Sequence, residues 1–270
     1  MASKRKISPG QRAFLDALRS DLSAFKLEVR RKNKDKQLVI EALNDHDGGG
    51  KIFEAFLVFR LKANLEAAGF ATEICNAAGQ AAKSFILRGA PGHLRRTPSK
   101  SGAAEPGFIS LMLHNEVFEI HNSIEWPDHL VGEGERHEFD VSIASGTACS
   151  ALVTWYYKKG VGPSPLLGIE AKFRDAAPSK NLAREMTGLV AKMRTPLVYL
   201  VSSKEAGASV AKQLEALSRI SALGVRIVDA GAIDVRMSGG VIDASKLSRI
   251  SDRVSRQIRV TISEAEKESV

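Results

Sequence analysis

Two hydrophobic periods alternate along the middle of the chain, and their order predicts an α/β fold. From Gly48 to Phe70 the apolar positions Phe53, Leu57, Leu61, Leu65 and Ala68 recur every three to four residues, which predicts a helix. Gly69 stands where a left-handed residue would end it. Runs with a period of two follow over Ser84–Arg88, Gly107–Leu113, Val117–His121, Arg136–Ile143 and Leu166–Phe173. Helical spacing returns over Asn181–Arg194, and Thr195–Ser203 reads as a buried strand. A second unit repeats this order, with a helix over Ala208–Leu223 and a strand over Val225–Asp229. Strand, helix, strand, helix, strand in this order implies parallel crossovers in the second half.

Alternation also sorts the charges. In Arg136–Ile143 it turns Phe139, Val141 and Ile143 to one face, leaving Glu138, Asp140 and Ser142 on the other. In Leu166–Phe173 it opposes Leu167, Ile169, Ala171 and Phe173 to Gly168, Glu170 and Lys172. Glu170 and Lys172 are then about 6.5 Å apart along their strand. If the two strands are neighbours, two acids and an amine converge on one face. A hard cation such as Mg2+ needs only one or two carboxylates plus substrate oxygens. It can activate water and neutralise charge on a phosphodiester, while a lysine orients the nucleophile or stabilises the transition state. Glu54 falls between Leu61 and Leu65 on the apolar stripe of the first helix, so its carboxylate points inward and must find a partner. Glu119 could join the acids only if its strand lies beside that of Asp140.

An acid on one strand followed by Glu170-Ala171-Lys172 on the next resembles the PD-(D/E)XK phosphodiesterase superfamily, the restriction-endonuclease-like nucleases. The resemblance covers residues 48 to 229. It implies an αβββαβ core with a mixed central sheet flanked by helices. It also implies a metal-dependent nuclease, a DNA endonuclease in a bacterial or phage restriction, defence or repair setting. Carried over residue by residue, Asp140 and Glu170 would hold Mg2+ or Mn2+, Lys172 would act at the nucleophile, and Glu54 would match a glutamate of the first core helix. Lys180 and Arg184, on the helix after Glu-x-Lys, match a place that often faces substrate. No proline precedes Asp140, and the long interval to Glu170 makes residues 144–165 an insertion carrying the aromatic and basic Trp155-Tyr156-Tyr157-Lys158-Lys159.

Composition sharpens this picture at the ends. The chain of 270 residues carries a formal charge of +8, and residues 1–36 hold eleven Lys or Arg against four acids, a net of +7. Phe14, Leu15, Leu18 and Leu22 predict helices that dock on the core, while Arg30, Arg31, Lys32, Lys34 and Lys36 would meet a polyanion. The loop from Pro91 to Gly102, with Arg95 and Arg96, is a second basic connector. The division expected is a basic helical N-terminal arm (1–47), a nuclease domain (48–235) and a helical C-terminal extension (236–270). Nucleic acid is the expected partner, with a homodimer or larger defence complex compatible.

Several classes are excluded or disfavoured. No apolar run reaches membrane-spanning length and no secretion signal opens the chain, so a cytoplasmic protein with no membrane partner is expected. Cys75 and Cys149 have no metal-ligand or disulfide-framework spacing, and His114, His121, His129 and His137 lack ligand spacing. Gly48-Gly49-Gly50-Lys51 lacks the spacing of a P-loop. The alternatives are a nucleic-acid-binding protein that keeps this fold without catalysis, and a scaffold subunit whose arm contacts protein.

Overall fold

A computed structural model describes residues 8–32, 49–82, 85–96, 106–131, 134–158, 160–174, 176–219, 221–222 and 225–268. Its elements run α1 (Pro9–Lys32), α2 (Gly50–Ala67), β1 (Ala71–Cys75), β2 (Phe108–Leu113), β3 (Glu116–Pro127), β4 (Arg136–Ser145), α3 (Gly146–Lys158), β5 (Leu167–Lys172), α4 (Lys180–Met193), β6 (Leu197–Ser202), α5 (Ala208–Leu217), β7 (Ser221–Ala222), β8 (Val225–Arg226), β9 (Asp229–Asp234), β10 (Arg236–Ser238), β11 (Val241–Asp243) and α6 (Leu247–Glu268). Seven strands form one mixed sheet in the order β1-β2-β3-β4-β5-β6-β9. The first five are antiparallel neighbours, and β5, β6 and β9 are parallel. The fold is therefore α/β, a mixed sheet with helices on both faces.

Each face carries its own apolar core. On one side α1, α2 and α6 pack on Ile109, Ile120, Val141, Ile143, Ile169 and Tyr199. On the other, α3, α4 and α5 pack on Ile124, Trp126, Phe139, Val198 and Leu200. Helix α2 is enclosed by α1, α6 and the sheet, which is why ten of its residues, including Glu54, are buried. Helix α1 docks through Phe14, Leu15, Leu18 and Leu22, and Arg60 of α2 grips Asp21 through two hydrogen bonds of 2.5 and 3.1 Å. Helix α6 adds Leu247, Ile250, Val254 and Ile258, spaced three and four apart.

The structure departs from the sequence pattern in four places. Residues 85–88 are not a strand; Phe85 and Leu87 alternate inward as a strand would, but the backbone is met singly, Arg88 N–H by the Asn122 side chain and Ile86 C=O by Gly107 N–H. The edge strand is instead β1, whose Ala-Thr-Glu-Ile-Cys shows little apolar patterning. Val225–Arg226 pairs with Ser221–Ala222 in a small hairpin, and the parallel strand beside β6 begins only at Asp229. The insertion expected between β4 and β5 is present and contains α3, with Trp155 and Tyr156 buried and Tyr157 81% exposed.

The fourth departure shapes the site. Phe139 lies in the second core while Val141 and Ile143 lie in the first, so the facing of β4 inverts at Asp140. Opposite Asp140, Ser123 of β3 has φ 49° and drops out of the ladder between the Asn122–Val141 and Ile124–Phe139 pairs. Phe139 then lies across Gly168, where a Cβ would stand 2.3 Å from its ring, so only glycine is accommodated in β5 at that point.

Candidate functional site

Strands β4 and β5 are paired only over Val141–Ile143 and Leu167–Ile169. Beyond Ile169 they form a fork, and the Asp140 carboxylate fills it, accepting a hydrogen bond from Ala171 N–H at 2.7 Å. Lys172 Nζ lies 3.6 Å from the same Asp140 oxygen and is hydrogen-bonded to the Glu170 carboxylate. The structure thus brings Asp140, Glu170 and Lys172 into contact, with side chains 17–20% exposed.

Glu54 enters from α2. Its Oε2 accepts from Lys51 Nζ at 2.8 Å and Ser123 Oγ at 3.0 Å, and Lys51 Nζ also reaches Ser123 Oγ at 2.6 Å. The left-handed turn at Gly49 (φ 83°) sets the start of α2, where a Cβ would strike Leu15 and Phe173 at 2.5 and 2.8 Å. Lys51, Ser123 and Glu138 were missed by sequence reasoning as site residues. Lys51 stands three residues before Glu54 and Glu138 two before Asp140, spacings that were legible; the turn at Ser123 had no sequence signal.

Four carboxylates and two ammonium groups therefore share this end of the sheet. Burial pushes Glu170 up to about 7, helped by the charge of Asp140 and opposed by Lys172. Burial likewise lifts Glu54 to about 7 against the pull of Lys51, and Asp140 adds to the rise. Glu138 is raised by burial, and its Oε1 is a buried oxygen with no hydrogen-bond partner. Burial works against the charge of Lys172, but Glu170 and Asp140 outweigh it and hold the ammonium form. A hard divalent cation takes oxygen ligands, and Asp140 and Glu170 could hold one.

Glu119 does not join this group. Its strand lies beside β4, but its side chain projects to the α3 side. There it accepts from Arg96 Nη2 at 2.5 and 2.6 Å and contacts His121 Nε2 at 2.7 Å, with Cys149 Sγ 3.8 Å from that nitrogen. Burial alone would raise the Glu119 carboxyl, yet His121 and Arg96 bring it below its usual range. Burial lowers His121 and raises Cys149 well above the usual thiol range. Oxygen, nitrogen and sulfur donors within 4.8 Å of one another could hold a metal, although Arg96 already neutralises the carboxylate.

The remaining basic candidates are dispersed. Arg95 is exposed on a cleft of about 410 Å3 shared with Arg88, His93 and Glu125, whereas Arg96 is committed to Glu119. Lys180 opens α4 at the surface, and Arg184 is bonded to Asn181 at 3.2 Å. Arg30, Arg31 and Lys32 belong to the last turn of α1; Lys34 and Lys36 lie outside the described residues. No described helix is long and apolar enough to cross a membrane. Comparison with family models, curated proteins and solved structures gave no match for this chain.

Proposed function

We propose that this protein is a magnesium-dependent nuclease of the restriction-endonuclease-like class, acting on DNA. The observation that carries the reading is the fork in which Asp140, Glu170 and Lys172 meet, two carboxylates and an ammonium contributed by adjacent strands. The element order supports it. With β1, β2 and α3 set aside as additions, α2–β3–β4–β5–α4–β6 has the αβββαβ form, with the acid on the middle strand and Glu-x-Lys on the next.

The donor set fits the implied ion: carboxylates crowd one another, two are lifted to about 7, and one buried oxygen lacks a partner. Mg2+ held by Asp140 and Glu170 would polarise the phosphodiester and acidify a water. The chain's own groups divide the remaining work. Lys172, held as an ammonium, offsets negative charge growing on the phosphate rather than serving as a base. Glu54, with a carboxyl near 7 and outside the pair that would hold the ion, is matched to accept a proton at neutral pH. Lys51 and Ser123 fix Glu54 in its rotamer.

The rival is a nucleic-acid-binding protein that has lost catalysis, favoured by the Lys172–Glu170 and Lys51–Glu54 ion pairs, which partly satisfy the acids without a cation. Supercoiled plasmid, linear duplex, single-stranded DNA and RNA, each incubated with Mg2+, Mn2+ or chelator, separate the two. The proposal predicts metal-dependent cleavage of DNA that Asp140→Asn abolishes while binding persists. Binding without cleavage under every metal would favour the rival.

A further inference from the structure

A cleft of about 370 Å3 opens at the residue after Lys172. Phe173 and Phe14 form its apolar wall, ring centroids 5.5 Å apart, and Arg174 and Lys204 stand at its mouth. It lies outside the C-terminal ends of the parallel strands β5 and β6, where Lys172 pairs with Ser202. Arg174 is fixed there through its backbone, whose N–H and C=O both bond Ser203 Oγ at 3.0 and 2.9 Å. The far rim is an exposed ion pair, Arg236–Glu205 at 2.9 Å. Among the described residues neither Arg174 nor Lys204 has a carboxylate partner, although other cations of this end of the sheet, such as Lys172 and Arg236, are paired.

An aromatic wall facing two uncommitted cations has the chemistry that holds one unpaired nucleotide, the base against the ring and the phosphate on the cations. We infer that this cleft is a nucleotide subsite, taking an unpaired nucleotide of the nucleic-acid strand adjacent to the phosphate held at the fork. The inference rests on the nuclease reading for the identity of the strand. The position supports it: neighbouring strands are about 4.8 Å apart, so a strand of nucleic acid crossing from β4 over β5 to β6 meets Asp140, Lys172 and then Arg174 and Lys204. Strand termini at this edge of a parallel sheet are also where ligands commonly settle. A protein so built prefers ends, flaps or single strands over blunt duplex.

The test is fluorescence anisotropy with full-length Asp140→Asn protein in chelator, so that binding is read without cleavage. The probes are a single-stranded oligonucleotide, a blunt duplex and the same duplex with an overhang, each across a salt series. The single-stranded and overhang probes should bind more tightly than blunt duplex. Phe173→Leu should weaken them by about 10-fold, with Phe173→Tyr restoring affinity. Arg174→Ala with Lys204→Ala should lower the salt slope by about 0.7, as expected for loss of one phosphate contact. Equal affinity for all three probes, or variants that bind like the parent, would overturn the subsite. So would a mononucleotide that binds the cleft without competing with the oligonucleotide, which would assign the cleft to a free nucleotide. Thermal melts confirm that each variant folds. These outcomes are independent of cleavage: wild-type protein that never cuts would defeat the nuclease reading while leaving the binding result intact.

Discussion

The two faces of the β3–β4 pair carry the same kind of group under opposite conditions. On the α3 side, Glu119 is buried but saturated by Arg96 and His121, and its carboxyl sits below the usual range. On the α2 side, Glu54 and Glu138 are buried near the charge of Asp140 and both are raised, as is Glu170 at the fork. Burial acts in the same direction on both; the difference is the neighbouring charge, Arg96 and His121 beside Glu119 but the Asp140 carboxylate beside Glu54 and Glu170. A saturated acid is held for structure, whereas crowded acids store an unfavourable energy that a cation or a proton relieves. The second region is therefore where chemistry is expected.

Single substitutions can break that contrast. Lys172→Ala should lower the cleavage rate by a factor on the order of 10²–10³ without loss of DNA binding; undiminished cleavage in a single-turnover assay would remove Lys172 from the mechanism. On the opposite face, Arg96→Ala leaves Glu119 buried beside His121 alone. It should cost about 3 kcal/mol in urea unfolding, with metal-dependent cleavage unchanged for the folded fraction. A loss of cleavage with no loss of stability would reverse the roles of the two regions.

Proton linkage sharpens the comparison. Glu54 and Glu170 have folded values near 7 against 4.5 for the free group. The folded state therefore binds protons more tightly, and the associated stability is present below about pH 4.5 and lost as pH rises through 7. In chelator, unfolding free energy should fall on the order of 5 kcal/mol from pH 5 to 8 for the two groups together, and Glu170→Gln should roughly halve the fall. A flat wild-type profile would mean that these acids are not crowded. The smallest effect is expected of Ser123→Ala, about 1 kcal/mol of stability and less than a tenfold change in rate, because Lys51 still holds Glu54.

What was legible in the chain follows from what is local. Asp140, Glu170 and Lys172 emerge from period-two alternation, and Glu54 from its place on an apolar helical stripe. The inversion of facing at Asp140 was not legible, because it depends on Ser123 leaving the ladder and on Phe139 finding the bare backbone of Gly168 on another strand. Strand β9, Asp-Ala-Gly-Ala-Ile-Asp, has almost no strand-forming residues; Asp229 is held there by Tyr199, Arg249 and Arg253. Residues 85–88 mislead for the converse reason, alternating in burial without a ladder. The Glu119–His121–Cys149 cluster joins β3 to α3, and its members show no spacing in sequence.

The central claim is that the fork between β4 and β5 holds a divalent cation, and calorimetric titration of wild-type protein with Mg2+ tests it most directly. Near pH 7, binding should expel protons from the partly protonated Glu54 and Glu170, seen as heats that depend on the ionisation enthalpy of the buffer. At about pH 9 that dependence should vanish, and Asp140→Asn or Glu170→Gln should abolish binding. Magnesium that fails to bind, or that binds both variants as it binds the wild type, would contradict the account.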